Sequence, residues 1–432
     1  MYRILLALPA LMLTPVMVSA QDNQVEDEAA AAELAAPLEQ RAEDIIAALR
    51  GDMAYNAVFA QSFRDQIPEE QFLGLQAQIE SQFGPLLGIE NVTPTSENAA
   101  DVTIRFERGI ATTAMQLEAA EPNYVAGFLF RGVEPYNDTV EALEADIAAL
   151  PGDIGVLVAP VGGGEPLLAY NADMPLGLGS AFKLYVLSAL TQSIAAGERS
   201  WDDVVPLSQE SFPSGILHDW PEDSPVTLHT LATLMISISD NTATDELIAV
   251  LGREAIEAEV AASGHSNPEL MQPFMNTREL FILKSGGAAG IDAFRAASIE
   301  DRREILNGLS GVDRSEADIM AAFTSGPNAI DIEWFSTPND MAAIFDRLRL
   351  SGDDIALGVM GVNTAVPDSE LEHWNYVGFK GGSEPGVLNY SYVLQDLEGD
   401  WSVVTMSWNN PEAEVDEQQL DLIAVRAIAL AR

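Results

Sequence analysis

The sequence contains no cysteine, four histidines and only three lysines in 432 residues. Without cysteine there is no disulfide, no thiol nucleophile, no lipid-anchored cysteine and no cysteine-bound zinc. The histidines, His218, His229, His265 and His373, never fall two to five residues apart, so no H-E-x-x-H or related ligand pair exists. Each is expected to be a surface or core polar residue, and no metal or other cofactor is expected. No serine stands in G-x-S-x-G, which removes the nucleophile elbow of α/β-hydrolases. Positive charge is scarce as well. The 21 basic residues face 67 acidic ones, a formal net charge of -46, and such a surface repels nucleic acid and anionic lipid. The basic residues are nearly all arginine, whose charge is permanent, whereas a lysine can lose its proton when burial or a neighbouring cation lowers its pKa. Lys183, Lys284 and Lys380 therefore merit individual attention.

Long apolar runs are also few, and the one at the N-terminus is short. MYRILLALPALMLTPVMVSAQD carries Arg3, an apolar stretch from Ile4 to Val18 broken by Pro9 and Pro15, and small residues at Ser19 and Ala20. It reads as a signal peptide, residues 1–20, cut near Ala20, and not as a membrane anchor. The expected location is the bacterial periplasm or exterior. An acidic, alanine-rich linker, 21–35, follows. In residues 36–133 helix-like segments (EQRAEDIIAALR, PEEQFLGLQAQIESQF) lead into strand-like ones (DVTIRFERG, IATTAMQLEA, YVAGFLFRGVEP), the pattern of an α+β domain with helices packed on a curved antiparallel sheet.

Residues 136–432 read as a second α+β domain. A helix in YNDTVEALEADIAAL, capped by Asp138 or Thr139, precedes the strands DIGVLVAPV and EPLLAYNA, which flank the turn at Gly162–Gly164. From Ala181 to about Ala196 the residues are apolar nearly all round, which marks a helix buried on every side. Helices and loops follow. NYVGFKGGSEPGVLNYSYVLQD and WSVVTMSW then read as adjacent strands, and EQQLDLIAVRAIALAR as a closing helix. This order implies a sheet with helices on both faces plus an all-helical lobe.

At the mouth of the buried helix stands GLGSAFKLYVLSAL, with Ser180 three residues before Lys183. On a helix, positions i and i+3 share a face, so the Lys183 amine can meet the Ser180 hydroxyl and, if desolvated, take its proton as serine attacks a carbonyl. Ser180 at the helix start also lies near the positive dipole end, with its own N–H available to an oxyanion. The S-x-x-K pair alone is a weak signal. It is joined, however, by Ser239-Asp240-Asn241, by Lys380-Gly381-Gly382-Ser383, and by STPNDMAAIF at 336–345. In this order the motifs resemble those of class A β-lactamases and penicillin-binding proteins. GSAFKLYVL and FKGGSEPGVL are similar to phrases in a subgroup of β-lactamase-like serine hydrolases that carries an N-terminal domain like nuclear transport factor 2 and steroid isomerase. That subgroup includes a cephalosporin esterase-like protein of clavulanic acid biosynthesis.

The resemblance implies a role for each residue. Ser180 would be the nucleophile, Lys183 its base, Ser239 a proton relay to the leaving atom, and Lys380 the attractor of a substrate carboxylate. Asn241 would hold a substrate amide. Ser180 and Ser383 would supply the oxyanion N–H groups, with Gly381 and Gly382 allowing close backbone approach. Asp240 is expected to be structural, and Lys284, outside every motif, to lie at the surface. Two departures stand out. Lys380-Gly381-Gly382 lacks the usual hydroxyl at its second place, which Ser383 could supply. Asn267-Pro268-Glu269-Leu270-Met271 has asparagine where the family's deacylating glutamate would stand, leaving Glu269 or Glu279 as substitutes. The expected function is a secreted serine hydrolase forming an acyl-serine intermediate with a small-molecule substrate, a β-lactam, ester or cell-wall peptide. The alternatives are a penicillin-binding D-alanyl peptidase or esterase with little lactamase activity, and a non-catalytic binder of cell-wall fragments.

Overall fold

The computed structural model describes residues 22–312 and 314–432. The reading of residues 1–20 as a signal peptide lies outside them. Among the described residues no helix is long and apolar enough to cross a membrane. The described chain divides into two compact units, one of residues 22–80 and 85–133, the other of 81–84 and 134–432.

In the first unit the acidic stretch read as a linker is helical from Asp22, as part of α1 (Asp22–Leu49). Leu38, Ala42, Ile45, Ile46 and Leu49 are buried at helical spacing, which gives α1 an apolar stripe against the sheet. After α2 (Glu69–Phe83) come β1 (Leu86–Ser96), β2 (Ala99–Phe106), β3 (Gly109–Leu117) and β4 (Val125–Pro135), which lie side by side in chain order. Burial alternates along β2 and β3, with Val102, Ile104, Ala111 and Met115 inside, as one covered face requires.

The second unit is built on five antiparallel strands. They are β5 (Asp153–Pro160), β6 (Leu168–Tyr170), β9 (Trp374–Glu384), β10 (Val387–Asp396) and β11 (Trp401–Asn409), in the order β9-β10-β11-β5-β6. A short separate pair joins β7 (Leu176–Gly177) to β8 (Phe335–Ser336). Period-two alternation divides the apolar residues between two cores. Val156, Val158, Val404 and Met406 face α3 (Val140–Ala148) and the closing helix α13 (Glu417–Leu430). Leu157, Ala159 and Val403 face the helical lobe. At the lobe's centre α4 (Lys183–Ala195) is buried at every position from Lys183 to Thr191. Around it lie α5 (Leu228–Ser237), α6 (Asn241–Leu251), α7 (Arg253–Ala262), α8 (Thr277–Ser285), α9 (Ala288–Ala296), α10 (Ile299–Gly308), α11 (Glu316–Ala321) and α12 (Pro338–Leu350).

Caps explain several of these boundaries. Thr139 accepts from the Ala142 N–H at the start of α3, and Thr337 forms a capping box with Asp340 at the start of α12. Asp138 has another partner. It takes the Arg426 guanidinium of α13, which lies 2.5 Å from Asp138 and 2.6 Å from Asp146 and is fully buried. Removing one partner of a buried charge leaves it under-compensated. Asp138→Asn is therefore expected to lower stability by roughly 2–3 kcal/mol, read from the urea midpoint; a change below about 0.5 kcal/mol would show the pairing to be of no consequence.

Candidate active site

The approach to Ser180 is held at both ends. The Gly177 N–H donates to Asn409 Oδ1 at 2.6 Å, and the Leu178 N–H to the Trp334 carbonyl at 3.0 Å. Gly179 then takes φ +49°, a conformation that glycine adopts readily. The chain enters a 3₁₀ turn, Gly179–Phe182, and only at Lys183 becomes an α-helix. Phe182 stacks on Trp334 with ring centroids 3.6 Å apart.

Edge strand β9 lies directly against this turn. A Cβ added at Gly382 would sit 2.2 Å from Leu178 O, 2.3 Å from Ser180 N and 2.6 Å from Ala181 N, and one added at Gly179 would sit 2.8 Å from Ser383 N. Pro385-Gly386 closes the β9–β10 hairpin between Glu384 and Val387. The pair flanking a two-residue turn is hydrogen-bonded, and pairs alternate from there. Ser383, one position further along, thus turns its N–H away from β10 toward the free edge, the side on which Ser180 lies. The two N–H groups expected to serve an oxyanion are brought together by a contact that only glycine permits.

Lys183 and Lys380 converge on one hydroxyl. Lys183 Nζ lies 2.7 Å from the Ser239 carbonyl oxygen, 2.8 Å from Asn241 Oδ1 and 3.1 Å from Ser239 Oγ. Lys380 Nζ also lies 3.1 Å from Ser239 Oγ, and 2.5 Å from the Gly381 carbonyl oxygen. Both amines are buried. Burial lowers the Lys183 pKa well below the usual lysine value, and the Lys380 charge lowers it further. Burial also lowers the Lys380 pKa, to about 7. Ser239 holds its position in the left-handed region, at φ +58°, a strain that a non-glycine residue keeps only where its surroundings impose it. Asp240 supplies much of that constraint, since its carboxylate caps α6 through the Ala243 N–H and accepts from the Ile216 and Leu217 N–H groups.

Ser180, Ser239, Asn241, Lys380, Gly381, Gly382 and Ser383 line one cavity of about 580 Å³. Two placements differ from the sequence expectation. The Ser180 hydroxyl makes no hydrogen bond to Lys183 or to any other described residue, because the Lys183 amine is drawn to Ser239 and Asn241. The Asn241 amide is engaged at both ends, Oδ1 by Lys183 and Nδ2 by the Phe212 carbonyl at 3.2 Å, so it orients the lysine in this structure.

Lys284, expected at the surface, is buried. Its amine forms ion pairs with Glu384 and Glu333, contributed by remote segments. Neither substitute for the missing glutamate lies in the Ser180 cavity. Glu279 completes a capping box with Asn276 and pairs with Arg253 at 2.6 Å. Glu269 lines a different cavity, and Asn267 is exposed. The carboxylates that do line the Ser180 cavity, Glu417 and Asp421 of α13, were not anticipated. They sit beside Tyr390 and Tyr392, on the sheet face opposite the helical lobe, and burial raises the Asp421 pKa. Their place in a helix with an ordinary amphipathic pattern gave no sign of this. Phe281 of α8, another lining residue, was equally silent.

The contact at Gly382 gives a sharp expectation. Gly382→Ala should reduce acylation of Ser180 by about a hundredfold, since displacement on the order of 1 Å at a reacting group has that effect. Gly381→Ala, whose Cβ would meet mainly the movable Phe379 ring at 2.8 Å, should be far milder. Equal rates for the two variants, measured by burst kinetics, would contradict this.

A model of the beta-lactamase enzyme family matches residues 138–360. No curated protein matches the chain. Among solved structures, the chain is similar to a beta-lactamase from Sphaerobacter thermophilus, with 22% identity over 67% of this chain and 95% of that one and a TM-score of 0.46. It is also similar to a class A beta-lactamase from Mycobacterium abscessus, with 19% identity over 67% and 95% and a TM-score of 0.46. A PBP-A variant captured as an acyl-enzyme with penicillin G shows 16% identity over 67% and 94%, again with a TM-score of 0.46.

Proposed function

This chain belongs to the beta-lactamase enzyme family, and from that premise we propose that it is a secreted serine hydrolase that forms an acyl-Ser180 intermediate with β-lactams or related esters and amides. The observation that carries this reading is the convergence of two buried amines on Ser239 Oγ in the cavity that also holds Ser180. A neutral lysine has two N–H bonds and one lone pair. For Lys183 the carbonyl oxygens of Ser239 and Asn241 take the two N–H bonds, and the lone pair is left to receive a hydroxyl proton. On this reading the donor of that proton is the Ser180 hydroxyl. Oγ then bonds to the substrate carbonyl carbon, and the oxyanion that forms is met by the Ser180 and Ser383 N–H groups. Ser239 passes the proton from Lys183 to the departing nitrogen or oxygen as its bond to carbon breaks. Lys380, protonated below about pH 7, attracts a substrate carboxylate.

Deacylation is a separate matter. It needs a base aimed at water, and the carboxylates lining the cavity enter from the far face of the β9 edge. An opened β-lactam keeps its amine tethered, where it hinders incoming water, whereas an ester loses its alcohol. Esters should accordingly turn over better than β-lactams. For residues 36–133 the proposal is a steroid-isomerase-like unit that binds, shields or positions something, a reading supported by α1 and the four-stranded sheet.

Intact-protein mass spectrometry after mixing with a penicillin is expected to reveal a long-lived adduct on Ser180, absent in Ser180→Ala. Rapid β-lactam turnover without an adduct would instead require a working deacylation base, with Glu417 and Asp421 the first positions to change.

A further inference from the structure

Two of the three lysines stand in front of Ser180, and the third lies behind it. Lys284 Nζ, from α8, is 2.5 Å from Glu384 Oε1 and 3.5 Å from Glu333 Oε1, and all three side chains are buried, with exposures of 0%, 6% and 1%. Each carboxylate belongs to a segment that shapes the oxyanion site. Glu384 directly follows Ser383 on β9. Glu333 lies along the approach to Ser180, with its Cγ 3.4 Å from where a Gly177 Cβ would stand and its carboxylate facing the Gly179 and Trp334 N–H groups. Two acids and one base in a dry site leave one negative charge uncompensated if all are ionised, an arrangement that burial strongly disfavours. Glu384 Oε2 is buried without a hydrogen-bond partner, and Glu333 Oε1 has only the 3.5 Å ion pair to Lys284. A single proton held between the carboxyls would remove both difficulties.

We propose that Lys284, Glu333 and Glu384 form a buried clamp sharing one proton, which holds Gly179 and Ser383 in place and thereby positions the oxyanion site for acylation. The clamp rests on the reading of Ser180 as the nucleophile, and its members are positioning residues, since none of them lines the Ser180 cavity. The other charged groups facing it, among the described residues, are Asp331, close enough to feel Lys284, and Arg295 of α9, which pairs with Asp331. Burial raises both carboxyls, Glu384 to about 8. Loss of the shared proton makes both acids anionic and drives them apart, displacing Ser383 relative to Ser180. A raised carboxyl pKa in the folded state also fixes the sign for stability: the contribution is complete below the ordinary glutamate value of 4.5 and is lost as pH rises through about 8.

The test uses the full chain, a neutral nitrophenyl ester and Ser180→Ala as background. Acylation rate and urea stability are followed between about pH 6 and pH 10. The neutral ester avoids the carboxylate attraction assigned to Lys380. In the wild type the acylation rate should fall above about pH 8, whereas stability should decline from about pH 6 to about pH 8 and level off above it, where neither the folded nor the unfolded state holds the proton. Glu384→Gln mimics the protonated acid, so it should acylate within about threefold of wild type at pH 7 and lose both the alkaline fall in rate and the decline in stability towards pH 8. Glu333→Gln should do the same and serves if the first variant does not fold. A fall in rate above about pH 8 or a decline in stability up to about pH 8 that is unchanged in these variants overturns the clamp. Absence of ester reactivity in the wild type overturns the nucleophile reading instead, and the stability profile still decides whether the proton is shared.

Discussion

The Lys183 side chain is fully buried at the start of α4, and its amine is met by the Ser239 carbonyl oxygen, the Asn241 side-chain oxygen and the Ser239 hydroxyl. A charged ammonium held out of water costs several kcal/mol unless it is compensated, and a second buried amine, Lys380, approaches the same hydroxyl. The neighbourhood therefore favours the neutral amine. The surrounding elements maintain this arrangement: the aspartate cap on α6 fixes Ser239 in a strained conformation, and the Phe212 carbonyl fixes the Asn241 amide. Stability given up at Ser239 is recovered in the Asp240 cap and the packed lobe beneath it.

The second constraint is steric. Strand β9 can reach the Ser180 turn only because Gly382 has no side chain and Gly179 adopts a positive φ. The same contact turns an ordinary sheet edge, with its unpaired N–H groups, into a binding edge at Ser383. A chain of net charge -46 brings two of its three lysines together at one hydroxyl, Ser239 Oγ.

Much of this was legible in the sequence for identifiable reasons. The buried helix announced itself by apolar residues all round, and the strands of the second unit by their alternation. Ser180, Lys183, Ser239 and Lys380 could be read because short motifs fix local geometry, and because lysine is too rare here to be scattered at random. Lys284 offered the same rarity and was still misread. Its partners Glu333 and Glu384 lie far along the chain, in segments that only the folded sheet brings behind Ser180. Glu417 and Asp421 were silent for a similar reason, since nothing local in a closing helix shows that two of its carboxylates reach a distant cavity. The oxygens that draw the Lys183 amine away, on Ser239 and Asn241, also belong to a remote segment, and so the missing bond between Ser180 and Lys183 could not be foreseen from i, i+3 spacing.

With only three lysines in the chain, their titration can be followed individually. Carbon-13 NMR of protein labelled at the lysine Cε positions gives one resonance per lysine, each assignable by single substitution. If Lys183 is the neutral base that the account requires, its resonance at pH 7 carries the shift of an uncharged amine and titrates well below the ordinary lysine value of 10.5. Titration of Lys183 near 10.5 would contradict the account at its centre.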